Sequence, residues 1–459
     1  MNPTPPATPT VTARRDEAAE AVFLEIMQNP AVDDPYTGYR TLRESAPALI
    51  TGDGTLVLTG HTECDAALRH RSLGRNDDMD GFRIASVPQE QVAEVMSTLK
   101  RSMAFVDPPR HARLRRPVNS VFTHRQVEAL RPAVTAHVDR LLAGLDGPSD
   151  GDFGSPDGDF GSPDGDFGSP DGDFGSPDGD FGSPGGDFGS PGGDFMAAAA
   201  KPLPEIVISD LLGIPEADRA SVLPHSQALA VPMEPVTYAE VFRTAANAQR
   251  ALCAYFAELL ARRRAEPTDD LLSRLGTAPE GSGLSDDEIV STALLLLGAG
   301  VKTTTHLLGN GLRALLDHPD QVARLREDPG LIPSAVKELL RYDTPAQLDA
   351  RVALEPTRFA GVELKAGQTV MTVIGAANRD PARFADAESL DVGRVENAHL
   401  SYAAGVHFCL GAQLANLEAE VLLDRLIAGT RAFAPAGAPR RRIGLGLRGF
   451  ETLPVELTR

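Results

Sequence analysis

The segment from Ser285 to Asp317 limits the architecture of this chain more than any other. Ser285-Asp286-Asp287-Glu288 has the form of a capping box, and the helical pattern then runs to Asp317, just before His318-Pro319. At 33 residues such a helix is about 50 Å long, the full width of a domain. Its middle, LLLLGAGVKTTTH from Leu294 to His306, is apolar until Lys302 interrupts it. A helix this long and this apolar at its centre has to be a spine around which other elements pack. A lysine in it needs a carboxylate partner, a route to water, or a task, because desolvating an ammonium is expensive.

Most of the remaining sequence also reads as helix. Apolar periodicity marks Glu17 to Gln28, Arg110 to Phe122, Arg125 to Leu145, Ala239 to Arg264, Ser334 to Tyr342 and Ala412 to Gly429. Strand signals are few: ALITGDGTLVLTG (Ala48 to Gly60) has the form of a hairpin, and Arg351 to Gly375 that of a small sheet with turns. The expected class is mostly α with a small β region.

Not all of the 459 residues can join that fold. From Gly151 to Gly192 the unit GDFGSPD recurs six times, the last two copies ending in Gly. Each copy has one Phe beside Gly and Pro, so it offers neither a coiled-coil seam nor enough apolar surface to offset the entropy of ordering. The repeats carry ten Asp and neither Lys nor Arg, so half of the net charge of −20 sits there. Without them LDGPSD joins GDFMAAAAKPLPEIVISDLLGIP as ordinary sequence, which points to tandem duplication inside a surface loop. The expected organisation is a flexible Pro/Thr-rich tail over 1–20 and one domain over 21–459, interrupted by a disordered acidic insertion at 151–192.

An acidic total argues against nucleic-acid binding. Met1 to Pro6, MNPTPP, lacks the basic start and apolar run of a secretory signal, and no apolar run approaches the length of a membrane span. A cytoplasmic protein with no membrane or nucleic-acid partner is therefore expected. The three cysteines, Cys64, Cys253 and Cys409, are too dispersed for a disulfide framework or a C-x-x-C pair.

Cys409 differs from the other two. In SYAAGVHFCLGAQLANLEAEV (Ser401 to Val421) it sits in a glycine-punctuated turn immediately before a helix, so that helix's first N–H groups point toward its sulfur. Gly405 permits the bend, and Gly411 a close approach to the sulfur. A thiolate stabilised in this way is a nucleophile or a metal ligand. His407 is poorly placed to act as its base in an extended turn, so ligation is favoured.

This loop resembles the haem loop of the cytochrome P-450 family, Phe-Gly-x-Gly-x-His-x-Cys-x-Gly, with Tyr402 and Ala403 as the two departures. The resemblance covers nearly the whole chain. Glu338 and Arg341 match the family's Glu-x-x-Arg, and Arg394 the arginine that completes its ion network. FVDPPRHARLRRPVNSVFT resembles the helix that supplies haem-propionate ligands, with His111 and Arg115 one turn apart; Arg351 and His407 fall at two further propionate positions. The spine helix matches the oxygen-binding helix, whose small-Gly-x-acid-Thr reads here Ala299-Gly300-Val301-Lys302-Thr303. Thr303 takes the place of the alcohol that hydrogen-bonds bound oxygen, and Lys302 stands where relatives carry an acid.

The resemblance implies the cytochrome P-450 fold, with a long central helix over haem b (iron-protoporphyrin IX) and Cys409 as the iron ligand. It also implies insertion of one oxygen atom of O2 into a small organic substrate, most simply hydroxylation, in secondary-metabolite tailoring. Epoxidation, oxidative coupling, peroxide-driven oxidation and a non-catalytic role in activating a partner enzyme are the alternatives. No G-x-G-x-x-G opens a helix after a strand, so electrons are expected from a separate partner, which the resemblance implies is a ferredoxin with its reductase. Arg110, Arg113, Arg116 and Arg125 either form a basic docking face for that donor or are solvated helix charges. The chain is expected to be a monomer, and Met79 to Val95 and Leu223 to Val241 are its candidate pocket segments. Lys302 has three readings, in order: pairing with Glu234, Glu240 or Asp210, contact with an anionic substrate, or a proton relay through a lowered pKa.

Overall fold

The computed structural model describes residues 9, 11–29, 32–75, 87–146, 193–229, 239–278 and 283–458. The repeat insertion, most of the tail up to residue 10, Glu234 and parts of both candidate pocket segments lie outside these residues, as does the side chain of Glu240.

The spine helix runs Asp286–Asp317, and Ser285 and Glu288 close the capping box from both sides. The Glu288 side chain accepts from the Ser285 N–H at 3.0 Å, and the Glu288 N–H donates to Ser285 Oγ at 3.3 Å. At the other end the next helix begins at Pro319, whose ring nitrogen has no proton to extend the ladder. Helices Pro202–Leu212, Ala239–Ala265, Ile332–Tyr342 and Ala412–Gly429 pack around the spine. Their apolar faces and those of Arg131–Ala143 and Leu271–Gly276 make one continuous core. Among the described residues no helix is long and apolar enough to cross a membrane.

The expected helix from Arg125 to Leu145 is two helices, His124–Glu128 and Arg131–Ala143. Pro132 sits in the first turn of the second, where a missing N–H costs nothing; inside one long helix it would break the ladder. The helix expected to reach Phe122 ends at Asn119, two residues beyond its internal Pro117.

The hairpin pairs Ala48–Ile50 with Leu56–Leu58, Ala48 opposite Leu58, and Gly54 in its turn has φ +88°. It joins a five-stranded mixed sheet in the order Ala48–Ile50, Leu56–Leu58, Thr369–Val373, Leu348–Ala353, Leu73–Gly74. A second sheet, absent from the sequence reading, pairs Pro454–Thr458 with Gly193–Asp194 on one side and Ala432–Pro435 on the other.

The tail expected over 1–20 is ordered well before residue 20. Ala13 N–H donates to Ala360 O, Arg14 N–H donates to Ala48 O and its carbonyl accepts from the Ile50 N–H of the first sheet strand, and Asp16 caps the helix Glu17–Gln28. A segment can be tied down by backbone bonds, which leave no trace in a hydrophobicity pattern. The two ends of the chain that flank the insertion touch: a Cβ added at Gly193 would lie 2.9 Å from Leu145 Cδ2 and 3.8 Å from Leu145 O.

Glu338 and Arg341, both with no exposed side-chain surface, form a two-pronged ion pair of 2.7 and 2.8 Å. The remaining Arg341 N–H groups donate to the carbonyls of Asn378, Ala387 and Ser389. Arg394 Nε approaches both Glu338 oxygens at 3.0 and 3.1 Å, and the Asp391 N–H and Asn397 side chain also donate to that carboxylate. A buried charge pair is tolerated when every lone pair and proton is satisfied, and here each is.

Candidate active site

A cavity of about 1210 Å³, counting the space that opens to solvent, lies between the spine helix and the loop before Ala412–Gly429. The spine presents Leu296, Ala299, Gly300, Thr303, Thr304 and Leu307 to it, a stripe at three- and four-residue spacing that is the cavity face of one helix. A Cβ at Gly300 would sit 3.4 Å from Ile208, an ordinary contact, so its absence widens the cavity rather than relieving a clash. The Thr303 hydroxyl donates to Ala299 O at 2.7 Å, which commits its proton to the backbone and leaves its oxygen as an acceptor.

The opposite wall carries Cys409, whose N–H donates to Tyr402 O at 2.9 Å and closes the turn. Gly405 has φ +72°, and a Cβ there would come within 2.6 Å of Leu68 O, so only glycine lets this loop pack on the helix His61–Arg69. Ala403 has φ +55°, a left-handed conformation held by a residue with a Cβ. The added hydroxyl of Tyr402 donates to Asn416 Oδ1 at 2.7 Å. Gly411 also lines the cavity, yet a Cβ there would meet no atom within 4 Å. The close approach expected at 411 is that of its backbone, whose N–H donates to the Cys409 sulfur.

Burial raises the Cys409 thiol pKa, while the N–H groups of Gly411 and Ala412 and the charge of Arg115 pull it down. These three groups favour the thiolate. Cys64, by contrast, is buried against the Leu58 carbonyl and held well above its ordinary range, as an inert thiol is.

His111, Arg115 and His407 all line the cavity. The His111 and His407 rings meet edge to face at 4.6 Å. Burial lowers both imidazoles, His111 to about 4, so both are neutral at pH 7 and offer N–H groups rather than charge. His407 Nε2 lies 3.3 Å from Asp107. Arg115 donates to Val406 O at 2.9 Å and to Asn119, so it braces the Cys409 loop as well as facing the cavity.

Arg351 does not line the cavity but acts through its charge on His407, which does; it is fully buried, with Nη1 2.6 Å from Asp349 and its Nε and Nη2 without partners. Burial lowers its pKa to about 10, against the pull of Asp349, so it remains charged at neutral pH. Two orphaned N–H edges on a buried guanidinium are a strong request for an anion.

Lys302 is half-buried and absent from the cavity stripe, one position away from Thr303. Of the three acids expected near it, Asp210 is engaged by His137 and Arg219. Among the basic residues Arg110, Arg113, Arg116 and Arg125, Arg113 is paired with Glu288 at the start of the spine. One residue with chemistry was not singled out from the sequence: Glu418, buried in the cavity wall with Oε2 unpartnered. Its signal is the three- and four-residue spacing from Gly411 through Leu414 and Ala415.

A model of the family described as "Cytochrome P450" matches residues 227–329 and 330–433. The chain is 33% identical to the monooxygenase PikC of Streptomyces venezuelae, over 93% of this chain and 92% of that one. It is 35% identical to the 6-deoxyerythronolide B hydroxylase of Saccharopolyspora erythraea, over 92% and 96% respectively. The solved structure of the bacillaene polyketide synthase cytochrome PksS of Bacillus subtilis superposes with a TM-score of 0.75 at 30% identity, covering 94% of this chain and 99% of that one.

Proposed function

The chain belongs to the cytochrome P-450 family of monooxygenases, and on that premise we propose that it hydroxylates a small organic substrate with one oxygen atom of O2, in the tailoring of a secondary metabolite. The relatives named as a hydroxylase and as part of a polyketide synthase support that pathway class. The observation that carries the reading is the facing of Cys409, with its two helix N–H groups, and Thr303 across one cavity.

The family's haem fits this donor set as haem b, with Cys409 as the iron ligand. The orphaned Nε and Nη2 of Arg351 suit a carboxylate, and Arg115, His111 and His407 supply further charge and N–H groups for the propionates. Thiolate-ligated haem supplies activation of dioxygen with two electrons and two protons. The chain's own residues do the rest. Ala299 and Gly300 keep space open, the Thr303 oxygen accepts a hydrogen bond inside the cavity, and the apolar Leu295, Leu296 and Ile208 exclude water from around a substrate.

The remaining assignments follow from the same reading. Electrons come from a ferredoxin and its reductase, to which Arg110, Arg116 and Arg125 present charge. The protein is a cytoplasmic monomer, one domain carrying an acidic insertion at 151–192, and deleting that insertion leaves haem content and turnover unchanged. Glu338, Arg341 and Arg394 brace the fold as one ion network. Lys302 pairs with an acid away from the cavity, so Lys302→Ala loses stability while product formed per reduced nicotinamide is kept.

The test is the carbon monoxide difference spectrum of the reduced protein. Wild type should show the long-wavelength band of thiolate ligation and Cys409→His should lose it. A Cys409→His protein that keeps the band and wild-type turnover would refute the ligand assignment.

A further inference from the structure

Between the spine and the helices Ile332–Tyr342 and Ala412–Gly429 lies a second cavity that the reading above leaves without a task. It measures about 360 Å³ with its interstices, of which about 30 Å³ admits the centre of a water-sized sphere. Its walls are leucines of the spine, Val336 and Leu339, Ala419 and the leucines that follow it, and Phe195. All of these side chains are buried. Among the described residues that line it none carries a polar side chain, and along its three helical walls the backbone polar groups are bonded within the helix.

The two cavities share a wall. Leu307 lines both. On Ile332–Tyr342, Leu340 faces the first and Leu339 the second; on Ala412–Gly429, Glu418 faces the first and Ala419 the second. Along the spine the step is one turn, from Thr303 and Thr304 to Leu307 and Leu308. The helices around it are closely packed: a Cβ at Gly311, which also lines the second cavity, would lie 3.1 Å from Leu339 Cδ1. The space is a bounded hole and not a loose seam.

Size and chemistry together decide what fits. A single water needs about 10–15 Å³ by this measure, so the room is that of a molecule of two or three heavy atoms, too little for a substrate skeleton. Water entering would give up its hydrogen bonds and find no donor or acceptor, which is why cavities lined in this way stay dry. An apolar diatomic forfeits nothing and gains contact on every side. The monooxygenase reaction consumes one such molecule in each turnover. We propose that this second cavity holds dioxygen, which passes Leu307 to reach the wall formed by Thr303 and Thr304. The proposal rests on the monooxygenase reading. Dioxygen moves unchanged in this step, and no bond forms or breaks. A turn of the Leu307 side chain joins the two spaces, so the gas arrives from the spine side while a substrate occupies the solvent side of the first cavity.

Xenon, an apolar atom that scatters strongly, tests the site, and dioxygen itself tests the route. Crystals of the haem-loaded protein held under xenon should show the gas among Leu308, Val336 and Ala419. Val336→Leu and Ala419→Val fill the space from different helices, and each should remove it. In solution the reduced, haem-loaded protein should take up dioxygen at least threefold more slowly in either filled variant and faster in Leu307→Ala. Haem content, the equilibrium carbon monoxide band and substrate affinity should be unchanged in the filled variants. The proposal is overturned if the wild-type cavity holds ordered water and no xenon, or if filling it leaves dioxygen uptake at the wild-type rate, which would make it a packing void only. It is equally overturned if filling weakens substrate binding and leaves the uptake rate of substrate-free protein alone, which would make the cavity an end of the substrate pocket. A wild type that takes xenon here but lacks the thiolate band would instead remove the monooxygenase reading. Should one filled variant not fold, the other decides; should neither fold, xenon in the wild type and the uptake rate of Leu307→Ala decide.

Discussion

Arg341 and Arg351 are both fully buried, and their surroundings treat them in opposite ways. Every N–H group of Arg341 is spent on the protein, on Glu338 and three backbone carbonyls. Arg351 has one nitrogen on Asp349 and Ala350 O, and two with no protein partner at all. Proteins leave few buried donors unsatisfied, because each costs about 1–3 kcal/mol. The first arginine is therefore cross-bracing. The second is a binding group whose partner is not part of the chain. Donor accounting separates the two where residue type and burial do not.

The harshest way to break this comparison is Arg341→Ala, which leaves the Glu338 carboxylate in the core with Arg394 as its cationic partner, beside the Asp391 N–H and the Asn397 amide. A loss of about 3–5 kcal/mol is expected, a large share of a stability of ~5–15 kcal/mol, read as a lowered denaturation midpoint with or without haem. A loss below about 1 kcal/mol would mean the network is not structural. Arg351→Met should do the reverse and leave the haem-free fold nearly as stable as before. Hydrogen bonds to a charged group are worth about 1.5–3 kcal/mol, so haem should pass to a competing haem-binding protein at least tenfold faster. Unchanged haem retention would show that the orphaned edges serve something else.

His306 extends the comparison to a ring. It is buried in the spine with neither nitrogen partnered, and burial, aided by Arg442 and Lys302, lowers its pKa to about 3. Unfolded, it takes up a proton below about 6.5; folded, it does not until far lower. Stability contributed by this residue is thus complete above pH 6.5 and is lost as pH falls from there toward 3, by at most about 1.4 kcal/mol per unit. Denaturation midpoints across that range should fall less steeply in His306→Asn, and parallel curves would discount the ring. The smallest effect is on backbone rather than side chain: Ala403→Gly removes a Cβ from a left-handed position and should stabilise the fold by ~1 kcal/mol, measured as a rise in melting temperature. No rise would mean that the loop holds Ala403 without strain.

The sequence was most readable where the determinants are local. Ser285 and Glu288 cap the spine, Pro319 ends it, and both bounds can be read within four residues. The Cys409 turn carries its own glycines, and the positive φ of Gly405 and Ala403 falls at two of the three places where the family motif has glycine. What could not be read depends on distant partners. The short strand Gly193–Asp194 exists because Pro454–Thr458 reaches it from the other end of the chain. Arg351 looks like any strand arginine until the burial of its N–H groups is known. Glu418 resembles the surface glutamates around it, since the helix face it occupies becomes a cavity wall only when the spine is packed opposite.

The contact of Leu145 with Gly193 has a consequence for how this chain can change with time. The body fixes both ends of whatever is spliced between them, a few ångströms apart, so copies can be added or removed in register without moving a single core residue. Closing a flexible loop twice as long costs only about 0.6 kcal/mol more, far less than the loss expected for Arg341→Ala. Selection on folding is nearly blind to length at this point. It is a ready-made splice site at which an electron-transfer module could be grafted onto the enzyme.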